Sequence, residues 1–174
     1  MRAARSASAW LGGMSALTFS PDGKLLVGAA YDTDLRIWNG QNGELVRVVS
    51  DMTGSMFALA FSPDGKLLAA AGVDRAVYLF DTKTWAVVRK ITEQPEMISA
   101  LAFSPDGQRI VTGGMNELLF GSPVKVMVWE TASGKALHTF DAEHRVTAAA
   151  FSPDGAWVAA ADGSKSIKLW AAAR

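Results

Sequence analysis

The chain contains no cysteine, which removes disulfides and thiolate metal sites and leaves the redox compartment undecided. It has only two histidines, His138 and His144, neither with a second ligand at metal-binding spacing, so no metal site is expected. It lacks any excess charge, since 17 Lys and Arg balance 17 Asp and Glu. No basic run breaks that balance, so neither nucleic acid nor an anionic membrane is expected as a partner. No apolar stretch approaches the ~20 residues that span a bilayer. The opening MRAARSASAW carries two arginines without the apolar core of a secretion signal. These absences together lead to the expectation of a soluble, cytoplasmic protein.

Familiar patterns for cofactors and catalysis are also missing. Gly113-Gly114 reads as the opening of a hairpin rather than a phosphate-cradling loop. Ser20, Ser62, Ser104 and Ser152 each precede a proline, and none stands in a Gly-x-Ser-x-Gly context with a suitable base. Asp32 and Asp34 flank Thr33 in a strand-connecting turn. Such a pair can bind calcium or act as acid and base, but a bracing role in the turn is the reading favoured here. No cofactor is expected.

What the chain does have is the segment Phe-Ser-Pro-Asp-Gly four times, starting at Phe19, Phe61, Phe103 and Phe151, at spacings of 42, 42 and 48 residues. A fixed period near forty marks a repeat array in which each unit is a small sheet that cannot bury its faces alone. Within a unit, four short apolar runs are separated by turn residues. In the second unit these are Met56–Phe61, Leu67–Ala71, Val77–Phe80 and Val87–Ile91. Alternation with period two, β-branched residues and a Pro-Asp-Gly turn predict a four-stranded antiparallel sheet and exclude a helix. Proline pre-sets φ for the turn and glycine supplies positive φ at its end, so replacing Gly65 is expected to strain it. The first run is apolar on both sides, as expected of a strand covered on both faces. Met14 and Met56 share their register with Ile98 and Val146 and are predicted to be core.

This arrangement resembles the WD-repeat β-propeller family along nearly the whole chain, and its Phe-Ser-Pro-Asp-Gly turns resemble those of bacterial members. Trp38-Asn39, Phe80-Asp81, Trp129-Glu130 and Trp170-Ala171 stand where the family carries its Trp-Asp signature. Asp32 and Asp74 match the family's bracing aspartate, with Ser164 in that place in the last unit. The Gly-His dipeptide is missing, so the bracing polar network is expected to be incomplete. The resemblance implies an all-β fold, a propeller of four-stranded antiparallel blades. Its segments would be 11–50, 51–92, 93–141 and 142–174, the last lacking its own outer strand. It also implies that the first strand of each blade is innermost, and that the function is non-enzymatic: a scaffold for protein or peptide partners.

Seven blades are usual in the family and this chain supplies four. Three assemblies remain open: a closed four-bladed ring, part of a longer propeller, or a homodimer forming an eight-bladed ring. Arg2–Ala9 stands where an outer strand is needed to complete the last blade, within one chain or between two. A propeller enzyme with a channel site is the less favoured function, because the innermost strands carry almost no ionisable group. A segment of a larger multidomain regulatory protein is a further alternative.

The longer third unit puts its extra residues in MNELLFGSPVK, where Leu118, Leu119 and Phe120 replace a polar turn. They are either a partner anchor or a longer hairpin tucked against the next blade. Trp85, in a turn and unexplained by the repeat, is expected to be exposed and joins them as a contact candidate. His144 and Arg145, in the loop before the last unit, complete the candidate set.

Overall fold

Each repeat folds into one antiparallel sheet in the computed structural model, which describes residues 13–116 and 122–172. The first sheet comprises β1 (Met14–Phe19), β2 (Leu25–Ala30), β3 (Leu35–Asn39) and β4 (Leu45–Val49). The second comprises β5 (Met56–Phe61), β6 (Leu67–Gly72), β7 (Val77–Asp81) and β8 (Val87–Ile91). The third comprises β9 (Met97–Phe103), β10 (Arg109–Met115), β11 (Val124–Glu130) and β12 (Ala136–Ala142). The last has three strands, β13 (Val146–Phe151), β14 (Trp157–Asp162) and β15 (Ile167–Ala171). Neighbours in sequence are neighbours in each sheet, as short hairpin turns require.

The turn after each first strand is built the same way four times. The serine hydroxyl donates to the aspartate two residues on, at 2.7, 2.7, 2.5 and 2.5 Å. It also accepts, at 2.9 Å in every case, the N–H of the residue that opens the second strand. Gly23, Gly65, Gly107 and Gly155 sit at φ of 69, 70, 70 and 69°, the left-handed region that favours glycine.

Because strand side chains alternate, each sheet has two apolar faces, and these bury one another in chain order. Val27, Ala29, Leu35 and Ile37 of the first sheet meet Leu68, Ala70, Tyr78 and Phe80 of the second. Ala71, Val77 and Leu79 on the other side of the second sheet meet Ile98, Ile110, Met127 and Trp129 of the third. Val111, Val126 and Val128 then meet Val146, Val158 and Ala160 of the last. Each large aliphatic chain removed from water contributes about 1.5–3 kcal/mol. Small residues set the approach: a Cβ on Gly113 would lie 2.3 Å from Val146 Cγ1. Gly113 and Gly114 are thus inside β10 and do not open a hairpin as predicted.

The first strands β1, β5, β9 and β13 touch in succession on the inner side. Three cores join four sheets, and the ring is not closed. The four-bladed closed form weighed from sequence is therefore not the form of this chain. A consequence is that Met14 is half-exposed while its repeat equivalent Met56 is buried, which corrects the expectation that both are core. One sheet carries a bracing chain of side chains, while Gly28, Ala70 and Ala160 hold the place of its threonine in the other three. Trp129, Thr112 and Gln94 form a buried chain of hydrogen bonds in the third sheet, with Gln94 in place of the missing histidine.

Candidate functional site

The antiparallel order gives the molecule two ends. One carries the Ser-Pro-Asp-Gly turns and the β3–β4, β7–β8 and β11–β12 turns; the other carries all remaining connections between strands. We call these the turn face and the loop face.

The polar groups of the turn face are largely committed to its own backbone. The Asp22 carboxyl is held down to about 2 by the Ser20 hydroxyl first and then by the Lys24 N–H. Asp64 is held at about 2 by the Lys66 N–H and the Ser62 hydroxyl. Asp81 accepts from the Thr84 N–H, the Thr84 hydroxyl and the Lys83 N–H, which lower it as well. An open groove of about 620 Å³ lies between the second and third sheets, bordered by Pro63, Asp64, Lys66 and Asp106. Its carboxylates already serve the turns, which leaves them poor proton carriers near neutrality.

Trp85 belongs to this end. It is only 7% exposed and packs in the core between the first two sheets with Phe80 and Leu68. That corrects the expected exposure, and the cause is backbone conformation. Trp85 adopts φ 61° in the β7–β8 turn, and its N–H donates to Asp81 O at 2.7 Å. The indole is thereby laid under the sheet junction.

The loop face is different. Tyr31 is 58% exposed, and its ring meets the edge of Phe57 with centroids 6.0 Å apart and planes at 66°. Such edge-to-face pairs contribute about 0.5–1.5 kcal/mol beyond area burial. Ser55 Oγ donates to Tyr31 O at 2.8 Å and ties the pair across the junction of the first two sheets. Phe57 was not singled out from the sequence, yet a signal exists. The same repeat position is Ser15, Ser99 and Thr147 in the other units, so an aromatic there departs from a run of hydroxyls.

Nearby, Asp32 accepts both guanidinium nitrogens of the buried Arg36, at 3.0 and 2.5 Å. These bonds from Arg36 lower Asp32, and they raise Arg36 in turn. Asp74 accepts from Tyr78 Oη at 2.5 Å and Thr53 Oγ1 at 2.6 Å. Both aspartates thus brace β-hairpins, as the repeat position implies.

His144 and Arg145 lie at this same end, between the third and last sheets. The Arg145 side chain is exposed, and its carbonyl accepts Gly163 N–H at 3.0 Å. His144 is half-buried, with Nδ1 out of solvent and lacking a hydrogen-bond partner among the described residues. Leu118, Leu119 and Phe120 fall outside the described residues. The described residues on either side, Met115 at the end of β10 and Val124 at the start of β11, are on the loop face. The structure thus places His144 and Arg145 with the Tyr31–Phe57 pair on one end of the molecule, and Trp85 at the opposite end.

The model of the family described as WD domain, G-beta repeat, matches the chain over residues 8–39, 43–81, 85–119 and 134–171. No individual curated protein matches it.

Proposed function

The chain belongs to the WD-repeat family, and on that premise we propose that it is a non-catalytic scaffold that grips a protein or peptide partner on its loop face. WD-repeat domains generally mediate protein–protein interaction as scaffolds. The observation that carries this reading is the exposed Tyr31 ring braced on Phe57 across a sheet junction. An aromatic already held by its neighbours loses little freedom on binding, and tyrosine is enriched among interface anchors. Arg145 adds an exposed cation on the same face, and in the sequence the apolar run Leu118–Phe120 falls between Met115 and Val124, the strand ends that lie on that face. On the turn face the carboxylates are held by its own turns and Trp85 is buried, while the exposed Trp157 beside the last turn borders the outermost face of the array rather than a junction between sheets.

The test is selection of displayed peptides on the wild-type chain, followed by affinity measurement on variants. Tyr31→Ala and the double change Leu118→Ser/Phe120→Ser are each expected to weaken the selected peptides at least tenfold. Lys66→Ala, on the turn face, is expected to leave them unchanged. Equal binding by all three variants, or loss only with Lys66→Ala, overturns the assignment.

A further inference from the structure

The two outermost faces of the array carry the same kinds of residue that are buried at the three interior junctions. On the forward side of the last sheet, Ala159, Ala161, Ile167 and Leu169 hold the repeat positions of Val27, Ala29, Leu35 and Ile37. Those four are buried in the first core, whereas Ile167 and Leu169 are 70% and 60% exposed. On the backward side of the first sheet, Leu17 and Phe19 hold the positions of Leu59 and Phe61, which pack into the first core. Leu17 is 61% exposed. Repeat arrays end in polar capping faces when they end at solvent, and neither of these faces is polar.

One hydroxyl contact is made at two of the interior junctions and another contact at one of them, and both are left half-made at the end. Ser15 Oγ lies 3.1 Å from Ala29 O in its own sheet and 2.5 Å from Met56 O in the next. Ser99 Oγ repeats this with Gly113 O at 3.4 Å and Val146 O at 2.6 Å. Thr147 holds the same position in the last sheet and keeps the first contact, with Ala161 O at 3.3 Å. The carbonyl that corresponds to Met56 O and Val146 O is that of Met14. At the third junction Arg109 reaches the next sheet, donating to Gly155 O at 2.9 Å with its guanidinium 5.2 Å from the Phe151 ring centre. Trp157 is its equivalent, and the matching ring and turn are Phe19 and Gly23.

We infer that two copies of this chain associate head to tail in solution. The forward face of each last sheet covers the backward face of the other copy's first sheet, and a ring of eight sheets results. Trp157, Ile167 and Leu169 of one copy then meet Met14, Leu17 and Phe19 of the other, and Thr147 Oγ1 donates to Met14 O. In the structure one chain leaves both end faces exposed: closing four sheets needs about 90° at each step, whereas eight need about 45°, and propellers span about four to eight blades. Two identical junctions related by a two-fold axis leave no face over. Half-exposed large side chains each lose roughly 100 Å². Twelve of them across two junctions bury about 1,200 Å², enough for a specific interface.

The deciding measurement is absolute mass by light scattering on the full chain. The expected value is about 37 kDa, twice the 18.5 kDa of one copy. Leu169→Asp and Leu17→Asp, each at an exposed position, should separately give single chains with unchanged β-sheet circular dichroism. An equimolar mixture of the two variants should regain two-chain mass, because one unaltered junction remains available. Thr147→Val should lower the association constant about three- to tenfold. A wild-type mass of one chain, growth beyond two chains with concentration, or a mixture that stays at single-chain mass overturns the inference. Should either aspartate variant unfold, the wild-type mass and the Thr147→Val shift still decide it.

Discussion

The indole Nε1 of Trp129 donates to Thr112 Oγ1 at 2.8 Å, and that hydroxyl donates onward to Gln94 Oε1 at 2.7 Å. Thr112 and Trp129 are fully buried and Gln94 nearly so. The chain links β11 to β10 and then to the connection entering β9, which locks the third sheet from its outer half to its inner strand. Buried polar groups cost little when every partner is present and a great deal when one is removed.

Thr112→Val keeps the shape and removes the relay. It should strand the indole N–H and the Gln94 carbonyl and cost about 1–3 kcal/mol. Urea denaturation followed by tryptophan fluorescence measures this, and Thr112→Ser should recover most of the loss.

Trp85→Ala should cost about 3 kcal/mol, because it empties a large volume in the first core and alanine gains nothing at positive φ. Denaturant titration reads the loss. Peptides selected on the loop face should bind the folded variant as they bind the wild type, since Trp85 is at the other end.

Thr33 holds φ 71° in the β2–β3 turn, and Arg75 and Lys165 repeat this conformation at 63 and 68°. A β-branched side chain fits that region poorly. Thr33→Asn should therefore stabilise by about 1 kcal/mol, seen as a rise of about 2–4 °C in Tm. A fall in Tm would mean that the threonine is unstrained.

Asp22, Asp64 and Asp162 are held at about 2, below the ordinary 3.8. The unfolded chain therefore binds protons that the folded chain refuses. The stability they supply is fully present above about pH 5 and is lost as pH falls through about 2. The urea midpoint should drop over that window. Asp64→Asn should lower the midpoint at pH 7 and flatten the drop, and an unaltered pH profile in that variant would count against the turn as its source.

These cases show where the sequence was legible. The Ser-Pro-Asp-Gly turns could be read because the bonds of the serine hydroxyl and the aspartate carboxylate that shape them span five residues or fewer. Strand positions could be read because alternation is local too, and the observed runs of the second repeat coincide with the expected ones apart from single residues at their ends. Gln94 was missed because its partners are 18 residues away at Thr112 and 31 away at Lys125. Trp85 was misjudged because a turn residue is usually exposed, and only its positive φ sends the indole inward. Phe57 becomes notable only once Tyr31, from the neighbouring sheet, lies against it.

The amino-acid order alone determined the number of sheets, their strand order and the chemistry of their corners, because those depend on backbone preferences and bonds between near neighbours. Only the tertiary arrangement decided which sides of those sheets find cover. Burial of a face depends on what stands opposite it: Met14 and Met56 hold the same place in the repeat, yet one meets solvent and the other a neighbouring sheet.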